Sequence, residues 1–526
     1  MKRSLWKRLV LGGVGTMVCA ALLAGCGGSE KAAEIKNDVL KFGVTNFADT
    51  LEPTENYFAW VVVRYGLGEN LTKFDEKMNV VPQLAKAWTV SDDHMTWTLE
   101  LRDDVKFSNG RQMTAQAVKE SIERVFAKSK RATTFFEYTA LEANGQTLKI
   151  TTTKPQPGMP GFLADPLFTI VDVQSEKEGR NFAKEGPIAT GPYAVQSFTK
   201  DRSVMVANEH YWGPKPPFKT VEIPSIDDPN TRALALRSGD VNMAVNIAAS
   251  DLEMFRNDKG FHVDEIASLR TVLARLNQKG ILADPKVRAA IISATDRKTY
   301  AEVLLKGTFI PGKAPVPPSL DFGFDQLNDP NAYNPERAKT LLAEAGWKDT
   351  DGDKILDKDG QKLSLRIVTY NSRAELPTYA EAIQADLAKL GVEAKIELVD
   401  YNLLDGMGIK GDYDLMISNN TTAATGDPAL YLAWYWKTNV DGSNEQNGSG
   451  YSNPVYDAKL DELSAEFDPE KRRALIIELQ QILLNDGAGL FLGYPMTNFV
   501  SSTGLQNVIM FPSDYYWLTA DIKPAK

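Results

Sequence analysis

The sequence predicts an α/β fold. Short apolar strands alternate with amphipathic helices along most of its 526 residues, the order that layers helices on a sheet with parallel strands. Residues 285–294 and 335–345 carry the helical period, whereas 39–44 and, after a polar turn, 91–102 alternate as half-buried strands do. A third observation is the unbroken apolar run Gly489-Leu490-Phe491-Leu492, which suits a strand covered on both faces.

Lys2, Arg3, Lys7 and Arg8 precede an apolar run from Leu9 to Leu23. That run is too short for a permanent membrane helix and ends in small residues, so residues 1–25 read as an export signal. Leu23-Ala24-Gly25-Cys26 resembles the bacterial lipobox. The expected mature chain begins at Cys26 with fatty acyl chains, such as palmitate, on its sulfur and amine. Burial contributes about 0.8 kcal/mol per methylene, so several chains hold a domain at a membrane face. The alternative is a plain secretory signal whose cleavage site contains a cysteine. Residues 26–38 are Gly-, Ser-, Ala-, Lys- and Glu-rich, as a mobile tether should be.

The remaining residues, about 500, suffice for two or three domain-sized units. With the signal removed, 55 basic residues stand against 69 acidic ones. An acidic chain is a poor candidate for nucleic acid or for lying on anionic lipid by charge alone. Its two cysteines are Cys19, within the signal, and Cys26; the mature chain has neither an internal disulfide nor a thiolate metal site. The three histidines are His94, His210 and His262, which limits imidazole chemistry.

In order, residues 39–44 form a first strand. Pro53 then leads into Asn56, Tyr57, Trp60 and Tyr65; aromatics at helical spacing favour core, with a pocket wall as the alternative. The polar turn Ser91-Asp92-Asp93 precedes alternation through Arg102, which runs on to a turn at Asn109-Gly110 and a helix starting at Thr114. The stretch PQLAKAW, SDD, TWTLELRDDVKFSNG, TAQAV over residues 82–118 resembles the family-five extracellular solute-binding proteins, the peptide- and nickel-binding components of ABC importers. Similar segments continue in the family's order: Gly191-Pro192-Tyr193, Asn208 to Gly213, Arg232 to Val241, Asp284 to Ile291, Leu341 to Trp347, and Gly450 to Pro454.

The resemblance implies a two-lobed periplasmic-binding-protein fold of the class II type, with lobes joined by crossover strands. The first crossing is expected near residues 268–277 and the return near 488–494. Lobe I then comprises 39–270 with 490–526, and lobe II 271–489. The implied protein is a monomer that hands its solute, unaltered, to permease subunits with cytoplasmic ATPases.

Two local motifs have simpler explanations. Gly307-Thr308-Phe309-Ile310-Pro311-Gly312-Lys313 nearly spells a phosphate loop, but Ala314, Pro315 and Pro317 follow where a hydroxyl and a helix belong. Asp349, Asp351, Asp353 and Asp357 resemble a calcium loop, yet Gly352 comes early and Gly360 replaces the closing glutamate; an acidic hairpin explains them better. No HExxH, GxSxG or paired-cysteine motif occurs, so a secreted hydrolase lacks a nucleophile and base. No cofactor is expected.

The candidate ligand contacts lie mostly at strand ends, where open α/β sheets bind ligands. Arg373 follows the strand ending near Tyr370, and Asn420 ends another. Asp427, in Gly426-Asp427-Pro428, precedes Tyr431, Trp434 and Trp436. The resemblance implies that Asp427 meets a peptide amine and Arg373 its carboxylate; a helix N-cap is the alternative for Asp427. Arg270 and Tyr57 complete the set. Peptides are the expected cargo, with nickel or a metal chelate as the alternative. Bare nickel wants imidazole, and no histidine follows His262.

Overall fold

Asp or Asn followed by Pro opens several helices in the computed structural model, which describes residues 38–371 and 373–525. Pro285–Ala294, Pro335–Glu344, Pro454–Ala465 and Pro469–Asn485 start where Asp284, Asn334, Asn453 and Asp468 accept backbone N–H groups. Proline at the first helical position wastes no donor there. Thr114 caps Ala115–Lys128 in the same way, accepting from Ala117 N at 3.2 Å. The expected signal, Cys26 and nearly all of the tether lie outside the described residues.

The strands build one large sheet in the order Glu393–Val399, Ser364–Tyr370, Leu415–Thr421, Arg270–Leu276, Gly489–Ser502, Met243–Val245, Val39–Gly43, Thr220–Pro224, Arg202–Ala207, Tyr193–Phe198. The sheet is mixed, not parallel throughout. Val39–Gly43 and Ser364–Tyr370 each have parallel neighbours on both sides, whereas the strands at the centre run antiparallel. The cause is connectivity: a chain that leaves one half and returns through the middle lays its two crossings in opposite directions.

Gly489–Ser502 is the axis of the molecule. Residues 489–493 pair with Arg270–Leu276, and residues 496–502 with Phe261–Ala267. The switch falls at Pro495, which has no N–H to give and accepts from Ser268 N at 3.0 Å. Only Ser268 and Leu269 separate the two short partner strands, so both crossings lie side by side.

Residues 39–270 contain more than one unit. An antiparallel four-stranded sheet, Ala85–Val90, Thr96–Leu101, Thr147–Thr152, Tyr138–Asn144, packs Trp97, Leu99, Leu148 and Ile150 against Ala115–Lys128 with a core of its own. Glu69 stands where this core meets the first strand's core. Its carboxylate accepts from Trp212 Nε1 at 2.8 Å and Tyr211 Oη at 3.4 Å. Burial pushes it up to about 7, against the Trp212 hydrogen bond. Between its ordinary 4.5 and 7 the folded chain therefore holds a proton that the unfolded chain has lost. Stability falls as pH rises through that window, by about 3 kcal/mol in the limit. Asp165, pushed up to about 6 by burial, acts in the same sense. Thermal melts from pH 4.5 to 8 should show this decline, and Glu69→Gln should flatten most of it.

Candidate functional site

Ser364–Tyr370 and Leu415–Thr421 run parallel, and Arg270 starts the antiparallel neighbour opposite Thr421. Tyr370, Arg373, Asn420 and Arg270 are thereby brought to one end of the sheet, at the mouth of a crevice. The opposing wall is the helix Ala59–Arg64 and the turn before it. Trp60 faces Arg270 with 5.9 Å between ring centroid and guanidinium carbon, and Tyr57 meets Trp60 edge-on at 5.9 Å. Tyr57 is 50% exposed, and Arg131 lies over its ring at 4.0 Å while donating to Asn56 O.

The crevice carries cations with few acids to balance them. Arg64 is spent on Asp514, at 2.5 Å. Among the described residues no carboxylate pairs with the Arg270 guanidinium. Burial pulls it down to about 10, and Arg373 adds to the shift; both effects are those of a cation short of solvent and counter-ion. Among the described residues Arg373 reaches Glu375 alone, at 4.0 Å, and Glu375 also accepts from Asn419 Nδ2 at 2.9 Å. Asn420 donates to Ser418 Oγ and accepts from Tyr435 Oη at 3.1 Å. Burial raises the Tyr435 hydroxyl while Arg275 opposes, with smaller contributions from Asp405, Tyr57 and Tyr370.

Three expected contacts are corrected. Asp427 is not a free carboxylate: Oδ1 accepts from Ala429 N at 2.7 Å, just ahead of the Ala429–Trp436 helix, and Oδ2 pairs with Arg472 at 2.6 Å. Trp436 is 1% exposed and packs on Phe491, and Tyr431 is buried beside it. Trp434, two residues from Trp436 and on the other helix face, is 42% exposed. The calcium candidates also separate. Asp349, Asp351 and Asp353 cluster on the surface, Lys362 sits against Asp351 and Asp353, and Asp357 instead binds Thr350. Asp357–Lys358 and Gln361–Lys362 form the hairpin expected there.

Sequence reasoning ranked Trp60 as core ahead of a pocket wall, and it did not single out Tyr370, Tyr435 or Arg131 as ligand contacts. Only the i, i+4 spacing of Trp60 and Arg64 beside Tyr57 hinted at a shared face.

The halves also touch beyond the crevice. Trp60, Phe74 and Tyr515 share one apolar cluster with Val316, Leu320 and Ala423. Tyr515 Oη donates to Ala424 O at 3.0 Å, and His94 stacks on Phe467 with centroids 4.0 Å apart. A Cβ added at Gly161 would stand 2.1 Å from Thr425 O, so only glycine allows that approach.

A sheet carried from one half to the other by two adjacent crossings, with a crevice at its strand ends, is the architecture of two-lobed binding proteins. The Bacterial extracellular solute-binding proteins, family 5 Middle, match residues 79–443, and the chain belongs to that family. It is 29% identical over 470 residues to the nickel-binding periplasmic protein of Escherichia coli (strain K12), covering 87% of this chain and 89% of that one. It is 26% identical to the oligopeptide-binding protein AppA of Bacillus subtilis (strain 168), covering 84% and 83%. NikA from Brucella suis in complex with Fe(III)-EDTA shares the fold, with a TM-score of 0.81 at 24% identity over 92% of this chain and all of that one. Among the described residues no helix is long and apolar enough to cross a membrane.

Proposed function

We propose that the protein is the solute-binding lipoprotein of an ABC importer, capturing a carboxylate-bearing, peptide-like solute. The observation that carries this reading is the unbalanced pair Arg270 and Arg373 at the strand ends, between Tyr57 and Tyr435. A half-buried cation without an anion is costly, and a ligand carboxylate removes that cost. With Asp427 tied to Arg472, Glu375, beside Arg373 and Asn419, is the acid we assign to a ligand ammonium. Tyr57, Asn420 and Trp434 supply shape and polar contact. Residues 39–270 with 490–526 form one lobe and 271–489 the other. Ligand contacts to both favour the closed form, which permease subunits with their ATPases recognise. No bond is made or broken. Lipid on Cys26 holds the monomer at the membrane, with residues 26–38 as its tether.

The second reading, a metal held in an organic chelator, is favoured by the same arginines. Bare nickel is disfavoured: His94 stacks on Phe467, His210 lies beside Gly110, and His262 is on Phe261–Ala267. Calorimetric titration with short peptides, and with nickel with and without free histidine, should give saturable heat for one cargo. Release of amino acids from a peptide mixture would overturn the reading in favour of a hydrolase.

A further inference from the structure

We infer that Trp60 and Arg270 together form a subsite for one carboxylate of the solute, with a donor from each side of the crossing. This rests on the solute-binding reading and specifies how that site grips its ligand. Trp60 is 8% exposed, and its Nε1–H has no partner among the described residues. A buried indole N–H left unpaired bears the full cost of its desolvation, so such a donor marks a place where an acceptor is missing.

Its surroundings fix the ring and leave the N–H over. Tyr57 meets the indole edge-on at 75° and Tyr515 at 64°, with Tyr515 5.2 Å from its centroid. Arg64, 5.1 Å from the same ring, is already paired with Asp514. The cation remaining beside the indole is Arg270. Arg270 begins its strand immediately after the Ser268-Leu269 link, whereas Trp60 belongs to a helix whose Val61 and Val62 pack in the first strand's core.

A carboxylate suits this pair better than an amide does. Its two oxygens offer about four lone-pair positions, enough for a forked guanidinium and an indole N–H together. An amide presents one oxygen and a donor that meets only further donors. The carboxylate also bridges both sides of the crossing, so its binding energy is realised in the closed form.

The test compares acid and amide probes within each variant of the full chain. A dipeptide and its C-terminal amide form one pair; the nickel complexes of histidine and of histidine methyl ester form the other. The pair showing the preference identifies the carboxylate's source. The unaltered protein should bind the acid of one pair at least thirtyfold tighter than its partner. Trp60→Phe should cut that ratio about fivefold, and Arg270→Gln at least tenfold, each by weakening the acid alone. Because the ratio is taken within one variant, partial misfolding does not imitate it. Arg270→Lys, which keeps the charge but not the fork, replaces the glutamine variant should that one fail to fold. An acid preference unchanged by Trp60→Phe and by the Arg270 variant, or the absence of any such preference in a protein that binds its probes, would overturn the subsite alone. Failure to bind either pair would overturn the solute-binding reading with it.

Discussion

Gly161→Ala is expected to weaken solute capture at least tenfold while leaving the melting temperature of the unliganded protein nearly unchanged. The added Cβ would lie 2.1 Å from the carbonyl oxygen of Thr425, on the loop that reaches over from the other half. That oxygen belongs to the backbone, so no rotamer change relieves the overlap. The halves must instead stand slightly apart, at the expense of contacts such as Tyr515 Oη to Ala424 O. If opening separates these surfaces, the methyl group meets only solvent in the open form, and the penalty falls on the closed form alone. Each 1.4 kcal/mol against closure lowers apparent affinity tenfold. Calorimetry should therefore show the loss of affinity, and small-angle scattering a smaller contraction on adding ligand. Unchanged affinity would show that this contact does not form when solute is held. Gly426 is less suitable for the experiment, because its φ of +76° adds backbone strain to the overlap with Phe74.

What could be read from the sequence was local, and what escaped it was decided at a distance. Thr114 and the apolar spacing of 285–294 announce their helices because cap, proline and period lie within a few residues. The antiparallel centre of the sheet was not legible. Gly489–Ser502 exchanges partners at Pro495, and its partners lie more than 200 residues away. The separate four-stranded unit escaped for a related reason: its alternation matches that of the first lobe's strands, and only packing divides the two cores. Asp427 is the clearest case. Gly-Asp-Pro before an apolar helix serves a cap or a ligand contact equally well, and Arg472, 45 residues later, decides between them. The aromatic run poses the same problem within one helix, since only tertiary packing tells which face of Tyr431 to Trp436 is covered. Trp60 was rightly placed among core-type aromatics, but a leftover N–H has no sequence signature.

Arg124→Met should lower stability by about 3–5 kcal/mol, the cost of leaving a buried acid without its partner. Arg124 bonds Glu52 at 2.7 and 2.9 Å and Glu176 at 2.6 Å, joining the loop before Ala59–Arg64 to the helices of the four-stranded unit. Glu52 accepts from Thr54 as well, and it stays below its ordinary range even though burial pushes it upward. Removing the guanidinium leaves that burial unopposed. The expected result is a lower urea midpoint, partly restored in the double variant Arg124→Met, Glu52→Gln, because much of the loss belongs to the stranded carboxylate and not to the missing arginine. The acid limb carries an independent signature. Arg124, with Lys128, holds Glu176 down at about 2, so its contribution is complete above pH 4.5 and disappears as pH falls toward 2. In Arg124→Met that acid loss should shrink while stability at neutral pH drops. A variant as stable as the parent, with an unaltered acid limb, would mean that the bridge between the two units does not bear on folding.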